Sequence, residues 1–180
     1  MKRTILLATC ALLLAAMCAG AQTTLTHAAT GTAPKIDSTI AAKEYAVSAG
    51  DDTFGTSLSW IGDTLYVSVI AKTTGWVAVG LGSTRMSGAI MYMGFVKGAE
   101  TQMKVQVGAG HAHSDTAKNA PLQYKMTETG GTTVLEVALK ASEFIVGGQK
   151  TIDMIVAYGG SDSFISMHRA KAAVSFTLAQ

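Results

Sequence analysis

Residues 75–95, Gly-Trp-Val-Ala-Val-Gly-Leu-Gly-Ser-Thr-Arg-Met-Ser-Gly-Ala-Ile-Met-Tyr-Met-Gly-Phe, are the stretch from which the rest of the chain is interpreted. Apolar runs at residues 76–81 and 90–96 predict two buried strands joined by a short loop. Glycine is too frequent here for ordinary strand interiors, and it often marks a bulge or a close approach of another backbone. Met86 ends the loop, where a thioether is either core filler or a metal ligand.

The remainder of the chain predicts short strands separated by turn signals, with no sustained helical period. Gly62-Asp63 and Gly130-Gly131 each lie between two apolar runs and predict hairpins. One helical turn is expected at residues 140–144 and a loop at residues 108–120. The predicted strands are residues 35–40, 56–60, 64–71, 76–81, 90–96, 101–107, 122–127, 132–139, 151–158 and 173–178. About ten such strands predict an all-β protein, an antiparallel β-sandwich of immunoglobulin-like type.

The first 21 residues have the pattern of a secretory signal peptide. Lys2-Arg3 precedes an apolar run, and Ala19-Gly20-Ala21 forms a small-residue cleavage site. We therefore expect a secreted or periplasmic protein, with a flexible leader at residues 22–33 and one folded domain at residues 34–180. No apolar run is long enough to favour a transmembrane span. Residues 15–18 faintly resemble a bacterial lipoprotein box, which leaves a lipid anchor at Cys18 as an alternative.

Removing the signal peptide changes the chemistry open to the chain. Cys10 and Cys18 both leave with it, so the mature chain has no thiolate ligand, no disulfide and no Cys-x-x-Cys-His haem attachment. Lys2 and Arg3 also leave, so 12 of the 14 basic residues remain against 12 acidic ones. A neutral chain gives no support for a nucleic-acid partner, which would need a basic face.

Three segments resemble the DOMON family. Residues 75–80 and 86–89 match its Gly-Trp-Val-Ala-x-Gly and Met-x-Gly-Ala motifs, and residues 157–169 match its C-terminal histidine region. Residues 35–45 are similar to its opening strand. The resemblance covers roughly residues 34–180 and implies a β-sandwich. Ile90 departs from the acidic residue that many relatives carry after Gly-Ala.

The resemblance implies an exported b-type cytochrome that binds one haem b non-covalently. The family's axial ligands correspond here to Met86 and His168, a donor pair that raises the reduction potential and leaves no open position on the iron. The other residues expected to bind the cofactor are Trp76, Met91, Met93, Tyr158 and Phe164. Such a protein transfers single electrons, so the expected partner is a redox protein or a small redox molecule.

Several alternatives remain at this point. Strand alternation places Met91 and Met93 opposite Tyr92, so either thioether could replace Met86 as the sulfur donor. The same fold hosts carbohydrate-binding modules, for which Trp60, Trp76 and the tyrosines would form a stacking platform. His111 and His113 could bind copper or zinc, because residues at i and i+2 of an extended chain project to one side. His27 could join them only if the leader folds back.

Motifs of enzymatic catalysis are absent. The sequence contains no Gly-x-Ser-x-Gly, His-Glu-x-x-His, P-loop or dinucleotide fingerprint. Apart from Asp51-Asp52, its carboxylates are scattered singly along the chain. We therefore expect a protein that transfers electrons or binds a ligand rather than an enzyme.

Overall fold

The structure is a computed structural model that describes residues 23–179. The expected signal peptide and the alternative anchor at Cys18 lie outside these residues. Twelve strands are formed: β1 Thr24–Ala28, β2 Val47–Gly50, β3 Phe54–Ile61, β4 Thr64–Ala71, β5 Val77–Leu81, β6 Ile90–Lys97, β7 Glu100–Ala109, β8 Ala112–Asp115, β9 Gln123–Thr129, β10 Thr132–Lys140, β11 Thr151–Gly159 and β12 His168–Ala179. The helical turn expected at residues 140–144 is present as a short 3₁₀ helix, Ala141–Glu143.

The strands form two layers. Sheet 1 has the order β8-β7-β6-β5-β11-β12, and sheet 2 has the order β3-β4-β10-β9, with β2 paired to β3. Both hairpins predicted from glycine turns are present, as β3–β4 and β9–β10. Strand β1 joins the edges of the two sheets: it pairs in parallel with β12 of sheet 1 and with β3 of sheet 2. The expected β-sandwich is thus confirmed, with twelve strands rather than about ten and with one parallel strand.

Strand β1 corrects the expectation of a flexible leader at residues 22–33. Leu25 is fully buried in the main core, so the segment is held by packing as well as by backbone pairing. A Thr- and Ala-rich sequence gives little sign of this, because the strand's partners are distant in the chain. In contrast, residues 35–40, predicted as a strand, form none. The predicted loop at residues 108–120 contains strand β8, which pairs with β7.

The main core lies between the sheets and is built by strand alternation. Val77, Val79 and Leu81 of β5 point inward, as do Tyr92 of β6 and Leu135 of β10. Side chains at the intervening positions face away from this core, because successive residues of a strand project to opposite sides. We call the surface of each sheet that is turned away from the main core its outer face. In residues 23–179 no helix is long and apolar enough to span a membrane.

Candidate functional site

The outer face of sheet 1 carries a second apolar cluster, separate from the main core. It consists of Trp76 directly before β5, Ala78 of β5, and Met93 and Phe95 of β6. Each of them is at most 8% exposed, although the face is turned away from the main core. An outer face of a sandwich is usually polar, because water contacts it. Buried apolar groups here therefore mark a surface that something else covers.

Residues 160–167, which connect β11 to β12, cover this cluster; we call them the cover segment. The ring centroids of Phe164 and Phe95 lie 4.7 Å apart, and the Trp76 Nε1 donates a hydrogen bond of 2.9 Å to Ser166 Oγ. The Lys104 Nζ lies 5.2 Å from the centroid of the Phe164 ring, within range of a cation–π contact. Within the segment, the Ser166 hydroxyl donates to the Ser163 carbonyl oxygen at 3.0 Å, and the Ile165 backbone nitrogen donates to the Ser163 hydroxyl at 3.4 Å.

Two glycines allow the chain to approach this closely. A β-carbon at Gly75 would lie 2.3 Å from the Ser161 nitrogen, and one at Gly159 would lie 2.1 Å from Trp76 Nε1. Contacts below 3 Å do not occur for real β-carbons, so any larger residue would push the Trp76 ring or the cover segment away. The sequence left a bulge or a close approach as alternatives for the glycines of residues 75–95, and at Gly75 the structure has a close approach.

His168 lies at the end of the cover segment, as the first residue of β12. It pairs with Gly159 just where the β11–β12 register shifts by a bulge, and its side chain is exposed. Because Gly159 is also the residue on which the Trp76 ring packs, His168 borders the outer-face cluster. Bulges are frequent next to functional sites, where they change the direction of a side chain.

Met86 lies at a different corner of sheet 1. Its backbone crosses β7 at Gly108: a β-carbon at Gly108 would lie 1.8 Å from the Met86 carbonyl oxygen and 3.1 Å from its Cγ. The Gly108 nitrogen donates to the Ala89 carbonyl oxygen at 3.0 Å, and the Gly88 nitrogen donates to the Gly108 carbonyl at 2.9 Å. The thioether is half-buried. The loop after β5 is therefore fastened to β7.

The structure does not bring Met86 and His168 together. Along the strand direction, His168 is at the same register position as Trp76, just before the start of β5. Met86 is at the register position of Ala89 and Gly108, just beyond the end of β5. The strand register puts these positions about six residues apart, or roughly 20 Å along the strands. A methionine and a histidine side chain each reach only a few ångströms from the backbone, so the two donors do not meet at one point in this conformation.

The other residues predicted for the cofactor divide between the two faces. Met93 and Phe164 join Trp76 in the outer cluster, and Met91 is buried on the same outer face. This confirms that Met91 and Met93 lie opposite Tyr92. Tyr158 lies on the inner face, where its ring contacts Phe54 at 5.0 Å between centroids.

The predicted histidine pair lies at the β7–β8 hairpin. His111 is in the turn and His113 is in β8, opposite Gly108, and both are exposed. His27 is distant from them: its ring stacks on Trp60 at 4.4 Å and its Nε2 bonds the Gly62 carbonyl oxygen. Within the described part of the chain, no three His, Cys, Asp or Glu side chains are grouped so that they could hold a metal ion.

A buried carboxylate on the outer face of sheet 2 was missed by the sequence reasoning. Glu136 of β10 is fully buried and accepts hydrogen bonds from Tyr45 Oη at 2.6 Å and from the backbone nitrogens of Asp37 and Ser38. Burial raises the pKa of Glu136, while these hydrogen bonds oppose the shift. Burial and the bond to Glu136 also raise the pKa of Tyr45. The available signal was a lone acid in the apolar strand at residues 132–139.

Comparison with solved structures identifies the fold. The chain is similar to the cytochrome b domain of pyranose dehydrogenase from Coprinopsis cinerea, with 13% identity, a TM-score of 0.52, and coverage of 69% of this chain and 75% of that one. It is also similar to the cytochrome domain of Myriococcum thermophilum cellobiose dehydrogenase, with 10% identity, a TM-score of 0.57, and coverage of 74% and 82%. At these identities the likeness establishes a shared β-sandwich fold.

A more remote likeness is to a family 9 carbohydrate-binding module from Caldicellulosiruptor kristjanssonii in complex with cellotriose. It has 11% identity and a TM-score of 0.46, and covers 86% of this chain and 83% of that one. No protein-family model matches the sequence, and no curated protein matches it.

Proposed function

We propose that this chain is an exported, non-enzymatic domain that binds haem b at the outer face of sheet 1 and transfers single electrons. The observation that carries the proposal is the apolar cluster of Trp76, Ala78, Met93 and Phe95, which is buried on an outer face under a segment that ends at His168. A haem needs such an apolar wall together with axial donors. The fold shared with two cytochrome domains, one of them described as a cytochrome b domain, supports the same assignment.

The chemistry of the donors fits haem, but their spacing does not fit in the described conformation. His168 would supply an imidazole nitrogen and Met86 a thioether sulfur; bound haem b would supply one-electron transfer. Phe164 occupies the apolar wall, since its ring packs directly on Phe95. We infer that the cover segment leaves the wall when the cofactor binds. This movement would break the two hydrogen bonds from Trp76 to Ser161 and Ser166 and the ring contact between Phe164 and Phe95.

The roles of the outer-face cluster and of the cover segment follow from the same contacts. Trp76 and Phe95 would exclude water from the cofactor, and a low dielectric around an iron centre tunes its potential. Ile165 and Met167 in the cover segment are 95% and 84% exposed. They would form the apolar edge that a separate redox protein or small redox molecule meets. Export would follow from cleavage of the segment at residues 1–21.

A haem titration followed by absorption spectroscopy tests the proposal. The purified full chain should give a shifted Soret band and, after dithionite reduction, a sharp α-band. We expect His168→Ala to lose the six-coordinate spectrum, and the matched variant His113→Ala to keep it. Met86→Leu, Met91→Leu and Met93→Leu decide the sulfur donor, because only the ligating methionine should change the spectrum. A protein that remains colourless on haem titration would refute the proposal.

Carbohydrate binding is a second candidate, and one cleft favours it. His27 and Trp60 line a cleft of about 480 Å³ together with Ile145, Val146 and Gln149. This volume is within the range of small-molecule sites. Trp76 cannot serve as a second platform, because it is 5% exposed. Quenching of tryptophan fluorescence by soluble oligosaccharides, abolished in Trp60→Ala, would establish this function; no quenching at millimolar sugar would exclude it.

A further inference from the structure

We propose that Met86 and His113 form a binding site for monovalent copper at the corner of sheet 1 where the loop after β5 crosses β7. This site shares Met86 with the haem proposal but has a different second donor, His113 instead of His168. The inference comes from Gly108, whose side-chain position is filled by Met86 and which pairs with His113.

The register places His113 beside Met86. His113 is directly opposite Gly108 in the antiparallel β7–β8 pair. The Gly108 nitrogen and carbonyl oxygen both form hydrogen bonds on the β6 side, so neither bonds to His113. Gly108 and His113 are therefore a non-hydrogen-bonded pair, in which the two Cα atoms are only about 4.5 Å apart. Residues opposite each other in a sheet project to the same face.

That shared face is the one on which Met86 lies. A β-carbon built on Gly108 points at Met86 and would be 3.1 Å from its Cγ. The β-carbon of His113 is expected about 5 Å from the same point. A single small ion bonded to the Met86 sulfur and an imidazole nitrogen of His113 fits this spacing.

The hydrogen bonds of Asp115 agree with this direction for His113. The Asp115 side chain, two residues along β8, accepts from Lys104 Nζ at 2.6 Å and from Gln106 Nε2 at 2.9 Å. Because residues two apart in a strand project to the same side, His113 lies on the outer face with Asp115. Because the Asp115 carboxylate is already engaged by two side chains, it is not available as a ligand.

The donor types select the ion. A thioether is a soft ligand that favours Cu(I), whereas carboxylate and water oxygens favour Mg²⁺ and Ca²⁺. Two donors that adjoin on one face suit a small ion rather than a flat macrocycle, which needs donors on opposite sides. His111 is in the hairpin turn, outside the paired residues, so the register does not fix the side of its ring and it is not part of the proposal.

The test is anaerobic titration of the haem-free full chain with Cu(I), in competition with a chromogenic Cu(I) chelator. We expect one Cu(I) per chain, and affinity about tenfold or more lower in both Met86→Leu and His113→Ala. His168→Ala should bind Cu(I) like the wild type. An X-ray absorption spectrum of the bound copper should contain a sulfur scatterer that is missing in Met86→Leu, which separates lost ligation from a general change of fold.

Three outcomes would overturn the proposal: a wild type that does not bind Cu(I), a loss in only one of the two variants, or an equal loss in His168→Ala. The haem proposal is judged independently. His113→Ala affects only the copper site and His168→Ala only the haem site, so failure of one assignment leaves the other measurable.

Discussion

The two outer faces of the sandwich are both covered by irregular segments, but the covers are held in different ways. On sheet 2, residues 35–45 are fastened by the buried carboxylate of Glu136, which accepts three hydrogen bonds from that segment. On sheet 1, the cover segment is held by one backbone bond from the Trp76 nitrogen to the Ser161 carbonyl oxygen at 3.3 Å, by one side-chain bond from Trp76 to Ser166, and by ring contacts of Phe164.

The difference shows which face is built to open. A buried carboxylate that loses its donors is left with an uncompensated charge, so the cover of sheet 2 is costly to remove. The cover of sheet 1 exposes mainly apolar surface when it leaves, and a flat apolar cofactor can replace that contact.

Removing the carboxylate should have the largest effect on stability. Glu136→Ala leaves the Tyr45 hydroxyl and two backbone nitrogens without an acceptor, and we expect the free energy of unfolding to fall by about 3 kcal/mol or more. Ser166→Ala is the matched change on the other cover, and it should cost about 1 kcal/mol or less. Urea denaturation of both variants measures this. Equal losses would mean that the two covers do not differ.

Much of the fold could be predicted from local sequence, whereas the contacts at the site could not. Strand β4, Thr64–Ala71, agrees with its prediction residue for residue, because alternation and a glycine turn are local signals. Strand β1 and the position of His113 beside Met86 depend on pairing between distant segments. Their sequences carry no sign of which strand they will join, and the register decides which donors meet.

The outer-face cluster shows the same limit. Alternation correctly separates Met93 from Tyr92, yet it does not reveal that Met93 is buried on an outer face under Phe164. Strand alternation could have assigned Tyr158 to the inner face, because Tyr158 is two residues from Val156, which lies in the main core. Its place in a family motif directed attention to the cofactor instead.

Loosening the cover of sheet 1 should change its local opening more than the global stability. Phe164→Ala removes the ring that packs on Phe95, so limited proteolysis should cut residues 160–167 faster than in the wild type. The unfolding free energy should change by less than in Glu136→Ala. Residues 35–45 should be cut no faster, and increased cleavage there would show that the two covers are coupled.

The pH dependence of the unfolding free energy should show a smaller effect, which arises from Glu136 beneath the cover of sheet 2. Burial raises the pKa of Glu136 in the folded chain above its ordinary value of 4.5. The folded chain then holds this proton more tightly than the unfolded chain, so the stability contributed by Glu136 is greatest below that value and falls as pH rises through the folded pKa.

The measurement is denaturant unfolding of the wild type and Glu136→Gln at a series of pH values. The wild type should lose stability relative to Glu136→Gln as the pH rises from about 4 to 7, because glutamine does not titrate. A difference that is constant with pH, or that changes in the opposite direction, would contradict the assignment of a raised pKa to Glu136.

The central claim is that the outer face of sheet 1, beneath residues 160–167, is the cofactor site. Amide hydrogen exchange of the full chain with and without haem b tests it most directly. We expect residues 160–167 to exchange faster than residues 35–45 without haem, and haem to change protection at residues 160–168 and around Trp76 while leaving residues 35–45 unchanged. Haem that binds without altering protection at residues 160–168, or that alters it around Trp60 instead, would contradict the account.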